Sequence, residues 1–138
     1  MKNIKYDLII MGATGFTGKL VTEYLIKNYG ARNNNFTWAL AGRDLKKLEK
    51  LKLSFKKLDT LSMDIPVIVV DSLDSTSLDG MTSSCRLVLS TVGPYMKFGI
   101  PLVESCVKNK THYCDLTGEV PFIRQSIDSY PVSYTHLR

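Results

Sequence analysis

Three glycines at fixed spacing, directly after a short apolar run, constrain this chain more than any other feature. They are Gly12, Gly15 and Gly18 in the stretch IIMGATGFTGKL. An apolar run that ends in glycine and passes into a helical pattern leaves bare backbone at a helix N-terminus, where anions bind. Two phosphate loops have this character. The triphosphate loop requires Gly-x-x-x-x-Gly-Lys-Ser/Thr, whose last hydroxyl reaches magnesium. Counting back from Gly18-Lys19 puts Ala13 where its first glycine belongs, and Leu20 stands in place of the hydroxyl. Both mismatches fall at mechanistic positions and argue against a nucleotide hydrolase. The observed Gly-x-x-Gly-x-x-Gly spacing is instead a variant of the dinucleotide fingerprint. Gly12 allows a tight turn, Gly15 clears a path for the pyrophosphate, and Gly18 lets the helix pack closely. The N–H groups from Thr14 through Phe16 to Thr17, together with the helix dipole, favour an anion by about 0.3–1 kcal/mol.

A fingerprint of this kind carries weight only between a strand and a helix, and the rest of the chain alternates between the two. Tyr6 to Met11 is a buried strand, and Thr17 to Tyr29 is a helix in which Leu20, Val21, Tyr24 and Leu25 recur at helical spacing. Phe36 to Gly42 is a second strand, followed by a lysine-rich helix capped by Asp44. Ile65 to Asp71 is a continuous β-branched run, the mark of a strand covered on both faces. Ser72 to Met81 holds a short helix, and Arg86 to Gly93 is a fourth strand. Pro101 to Lys108 is a helix with proline at an early position, and Thr111 to Gly118 is a fifth strand. Strand and helix alternate without hairpin signals. This predicts an α/β fold of Rossmann type, a doubly wound parallel sheet of order 3-2-1-4-5 with helices on both faces.

The end of the second strand distinguishes the cofactors. NAD sites place a carboxylate there to hold the ribose 2′-hydroxyl. Here Gly42 is followed by Arg43, whose guanidinium can fork onto a 2′-phosphate that a carboxylate would repel. Asp44, next in line, is assigned to the helix cap. NADP is therefore expected in preference to NAD. Asp71 and Ser72 end the third strand where adenine would lie, with helix capping as their alternative role. Gly93 and Pro94 follow the fourth strand and would shape a loop against the cofactor, while Tyr95 either flanks the nicotinamide or packs.

Composition narrows the classes further. The net charge of +5 is mild and concentrated in Lys46, Lys47, Lys50, Lys52, Lys56 and Lys57, the solvated face of one amphipathic helix. No aromatic side chains interleave with these lysines, as single-stranded nucleic acid would require. Cys85, Cys106 and Cys114 lack metal-ligand spacing and read as buried thiols of a reducing compartment. His112 and His136 are too scattered for a metal site, so no metal is expected. No stretch approaches the ~20 apolar residues of a membrane span. The chain reads as intracellular and soluble.

With these pieces together the sequence resembles the saccharopine dehydrogenase-like oxidoreductases, specifically their N-terminal NAD(P)-binding domain. MGATGFTGKLV, WALAGRDLKKL, STVGPYMKFGIPLVESCV and HYCDLTGE carry the resemblance, in order, over about residues 5–125. It implies a nicotinamide-dependent oxidoreductase with a small-molecule or lipid-like substrate, and a homodimer in a longer parent. It also implies lipid-droplet or mitochondrial association. The cofactor domain then occupies residues 1–128 and is incomplete at its C-terminal end. The substrate domain is absent, and residues 129–138 are a non-native or disordered tail. In relatives, positions matching Asp115 and Glu119 bring substrate near the nicotinamide; capping and loop hydrogen bonds are their alternative. No catalytic residue is named.

Three other readings stand beside this one. Short-chain dehydrogenases share the loop but use Tyr-x-x-x-Lys; here Tyr24 is followed at that spacing by Asn28, and Tyr95 by Gly99. Semialdehyde reductases need a nucleophilic cysteine, and neither Cys106 nor Cys114 has a neighbouring base. The non-enzymatic reading is a sensor or scaffold module that binds the dinucleotide without turnover.

Overall fold

Strand β1 (Tyr6–Met11) lies at the centre of a parallel sheet, and its two faces feed two separate cores. The computed structural model describes residues 2–132. Ile9 and Met11 join a cluster with Leu78, Met81, Leu102 and Cys106. Ile10 points the other way, among Leu25, Ile26, Trp38, Leu48 and Leu51. Burial on both faces is why the strand reads as an unbroken apolar run. After β1 come α1 (Phe16–Tyr29), β2 (Trp38–Gly42), α2 (Leu45–Ser54), β3 (Val67–Val69) and α3 (Ser75–Thr82). Then follow β4 (Cys85–Ser90), α4 (Tyr95–Lys108), β5 (His112–Asp115) and α5 (Val120–Ser129). A short 3-10 turn over Thr60–Asp64, which the sequence reading did not foresee, precedes β3.

The strands stand in the order β3-β2-β1-β4-β5, all parallel, with α1 and α2 on one face and α3 and α4 on the other. This is the expected doubly wound arrangement. Register pairs Met11 with Ala41 on one side and with Ser90 on the other. The carboxyl ends of β1, β2 and β4 therefore finish level, and the turns that follow them share one edge. That edge includes the gap between β1 and β4, where the strand order reverses and open α/β sheets bind ligands.

Several expectations need correction. Strand β3 is only three residues long, and as an edge strand it leaves Val69 52% exposed; it is not covered on both faces. On α1 the buried side is Gly18, Thr22, Leu25 and Ile26, while Leu20 and Tyr24 face solvent. Lys52 is buried rather than solvated, with its Nζ 3.3 Å from the Glu49 carboxylate. Helix α4 starts at Tyr95, six residues before Pro101, which is internal. Proline's preference for a first turn misplaced that boundary. Contacts with the next segment hold the start of this helix. Glu119 accepts from the Tyr95 and Met96 N–H groups at 2.7 and 3.0 Å, capping a helix whose own N-cap is Pro94. Gly99 lets the Phe122 ring of α5 lie against α4, and a Cβ there would stand 2.7 Å from Phe122 Cε2. Helix α5 reaches Ser129, and Tyr130 packs beside Phe122, so the expected tail does not begin at 129. Residues 133–138 of that tail lie outside the described residues.

Candidate functional site

Glycine chemistry builds the site from its floor. Gly12 turns the chain out of β1 at φ +83°, a conformation that side chains rarely adopt. Its carbonyl oxygen accepts from the Gly15 N–H at 3.1 Å and from the Thr91 hydroxyl at 3.1 Å, which ties the turn to the end of β4. Gly18 lies against the same turn. A Cβ on it would stand 2.1 Å from the Gly12 oxygen and 2.7 Å from Ala13 Cα. Gly15 is different: its φ is an ordinary −73°, and the nearest atom to an added Cβ is 3.4 Å away. Protein packing therefore does not require glycine there, whereas close approach of a ligand would. As N-cap of α1, Gly15 offers no side chain, and no described group accepts from the N–H groups of Phe16, Thr17 or Gly18. Helix ends left open in this way favour anions.

A cleft of about 270 Å³ opens above this loop. It brings together Gly12, Thr14, Gly15, Arg43, Ser72 and Gly93 from the sequence-predicted set. Phe16, Thr17, Gly18, Asp71, Pro94 and Tyr95 do not line it. Phe16 is 83% exposed, and Gly18 lies beneath the turn. The Asp71 carboxylate accepts from the Leu73 N–H at 2.9 Å in the turn before α3, whose cap is Asp74. Tyr95 packs: its ring is 7% exposed against Phe122, and its hydroxyl donates to the Ser90 carbonyl at 3.2 Å. The lining also includes Lys47, which the sequence reading placed on a solvated face, and Thr91, whose hydroxyl also donates to the Met11 carbonyl. Asp44 lines the cleft as well, and its Oδ1 caps α2 by accepting from the Lys47 N–H at 3.1 Å.

Asp115 and Glu119 serve the structure in this state. Asp115 accepts from the Tyr113 hydroxyl at 2.6 Å and the Thr117 N–H at 3.0 Å, while Glu119 caps α4. A larger hollow of about 470 Å³ runs along β5 and α5 between Val107, Tyr113, Phe122 and Tyr130. It shares no residue with the glycine loop and so has no part in seating a phosphate there. Among the described residues no cluster suits a metal ion, and no helix is long and apolar enough to cross a membrane.

The thiols divide two to one. Cys85 and Cys106 are fully buried, but Cys114 is exposed, contrary to the expectation for all three. Burial pushes the Cys85 pKa up to about 11 and that of Cys106 higher still. Neither is a thiolate at neutral pH. Alkylation with iodoacetamide at pH 8 modifies only Cys114 in the native chain and all three thiols in denaturant. Intact mass spectrometry reads the difference.

A bare position that a Cβ would partly fill, three unclaimed donors and a cationic rim together fit a phosphorylated dinucleotide. Comparison with known proteins agrees. The model of the saccharopine dehydrogenase NADP binding domain matches residues 8–134. The chain belongs to that family. NADP is thus the cofactor of this domain, in line with the expectation from Arg43. The trans-acting enoyl reductase of Mycobacterium ulcerans (strain Agy99) is 40% identical over 126 residues, 91% of this chain and 28% of its own length. That of Mycobacterium leprae (strain TN) is 40% identical over 124 residues, again 28% of its length. The domain thus spans just over a quarter of these relatives. Among solved structures, apo saccharopine dehydrogenase (L-Glu forming) from Saccharomyces cerevisiae superposes with TM-score 0.65 at 23% identity. The match covers 87% of this chain and 23% of that one. A short-chain dehydrogenase/reductase from Veillonella parvula, solved in complex with NADP, gives TM-score 0.59 at 17% identity over 95% of this chain and 59% of that one. At these identities the two structures establish the fold.

Proposed function

We propose that this domain positions NADPH for hydride transfer to an enoyl group on a lipid-like substrate, within a longer reductase. The observation that carries the reading is the open N-terminus of α1 facing Gly15 at the strand-order reversal, with Arg43 on the rim. The N–H groups at the start of α1, beside Gly15, would hold the pyrophosphate, Ser72 would border the adenine, and Thr91 and Gly93 would face the nicotinamide end. Identity of 40% to trans-acting enoyl reductases supports the substrate class. NADPH bound there would supply hydride to the β-carbon of the enoyl group and be oxidised, with a proton from another group completing the reduction at the α-carbon. The residues that line the cleft include no histidine or tyrosine, and the Tyr95 hydroxyl is engaged by the Ser90 carbonyl. Homodimerisation and lipid-droplet or mitochondrial association are supported by the family resemblance alone.

Arg43→Ala lowers the preference for NADPH over NADH by about ten- to a hundredfold, the worth of one charge-assisted hydrogen bond. Fluorescence titration with both coenzymes measures it, and an unchanged ratio removes Arg43 from the 2′-phosphate. For the reaction, a protein carrying this domain with its substrate domain consumes NADPH in the presence of an α,β-unsaturated acyl thioester. Tight NADPH binding without any turnover favours the non-catalytic module instead.

A further inference from the structure

We propose that Lys47 is a specificity-determining residue that shares the ribose 2′-phosphate with Arg43, forming a two-cation seat. This inference rests on the NADP reading of the cleft and adds a residue that neither the glycine loop nor the second-strand arginine brings with it. Of the six lysines in the basic segment, Lys47 is the one that lines the cleft. Lys52 is buried beside Glu49, and the others point elsewhere. Arg43 precedes the N-cap of α2, Lys47 lies in its first turn, and both border the same space as Ser72.

Three further facts favour a phosphate between them. First, among the described residues neither Arg43 nor Lys47 has a carboxylate within ion-pair distance, so both charges are unspent. Second, the Asp44 side chain accepts from the Lys47 N–H, which fixes the main chain of Lys47 in the first turn of α2. The same bond occupies the carboxylate that would otherwise face the ribose. Third, a phosphate monoester carries close to two negative charges at neutral pH. Arg43 can supply a planar fork and Lys47 a compact point charge, so one cation of each kind matches the dianion better than either alone. The N-terminal dipole of α2 adds to the same field.

Calorimetric titration of the 138-residue chain with adenosine 2′,5′-bisphosphate and with adenosine 5′-monophosphate tests the seat. The wild-type chain binds the bisphosphate more tightly. Lys47→Gln weakens bisphosphate binding by about tenfold, leaves the monophosphate unchanged, and flattens the salt dependence of the bisphosphate. Lys50→Gln, on the same helix but outside the cleft, changes neither. Glutamine keeps the main-chain N–H that Asp44 accepts from, so circular dichroism and the urea midpoint stay at wild-type values. A Lys47→Gln chain that retains the full preference overturns the seat alone. A wild-type chain that binds neither nucleotide overturns the NADP reading of the cleft and the seat together.

Discussion

Gly18→Ala abolishes the native chain: the urea-unfolding transition disappears, or its midpoint falls by the equivalent of at least about 3 kcal/mol. One methyl group has this effect because its carbon would sit 2.1 Å from the Gly12 oxygen. Neither side can yield cheaply. The Gly12 oxygen is held by the Gly15 N–H and the Thr91 hydroxyl, and Gly18 is the third residue of a fourteen-residue helix packed on the sheet. Relief requires α1 to lift away from β1, which opens the cluster of Leu25, Ile26 and Ile10. Against a typical domain stability of about 5–15 kcal/mol, the loss is a large fraction of the whole. A Gly18→Ala chain that unfolds at the wild-type midpoint would contradict the described packing.

Gly15→Val, three residues earlier, has the opposite profile. Its φ of −73° suits any residue, and the nearest protein atom to the new Cβ is 3.4 Å away, so the fold survives. The urea midpoint moves by less than the equivalent of about 1 kcal/mol, the usual range for exchanges at an N-cap. The branched side chain instead occupies the space above the unclaimed N–H groups. NADPH affinity falls at least about a hundredfold, equivalent to about 2.7 kcal/mol. Equilibrium dialysis of the folded variant measures it. Wild-type NADPH binding by Gly15→Val would remove the pyrophosphate from this loop.

The contrast shows which features were legible in the sequence. Alternating apolar runs and helical spacing carried the whole topology, because the inner strands β1 and β2 are buried on both faces and each crossover has one permitted hand. The turn at Gly12 and the close helix packing at Gly18 were legible for the same reason, since each needs a missing side chain at a fixed place. Features decided by tertiary partners were not legible. Tyr95 follows the Gly93-Pro94 turn in sequence, yet helix α4 starts at it and turns its ring onto Phe122. Ile65 to Asp71 looks doubly covered from composition, but nothing pairs with the outer edge of β3 among the described strands. Lys47 looks like Lys46 and Lys50 until the cap at Asp44 fixes where the helix begins. One signal could have found it: Lys47 lies four residues after Arg43, on the far side of a capping aspartate.

The bond from the Thr91 hydroxyl to the Gly12 oxygen has a kinetic consequence. Because the protein's own atoms already lock the turn, docking NADPH demands little fresh ordering there, and the entropic toll of association is small. Capture should then run at an ordinary encounter rate, and variants along the rim should differ chiefly in residence time. Removing that tether with Thr91→Val should slow capture instead, leaving a loop that must first find its shape.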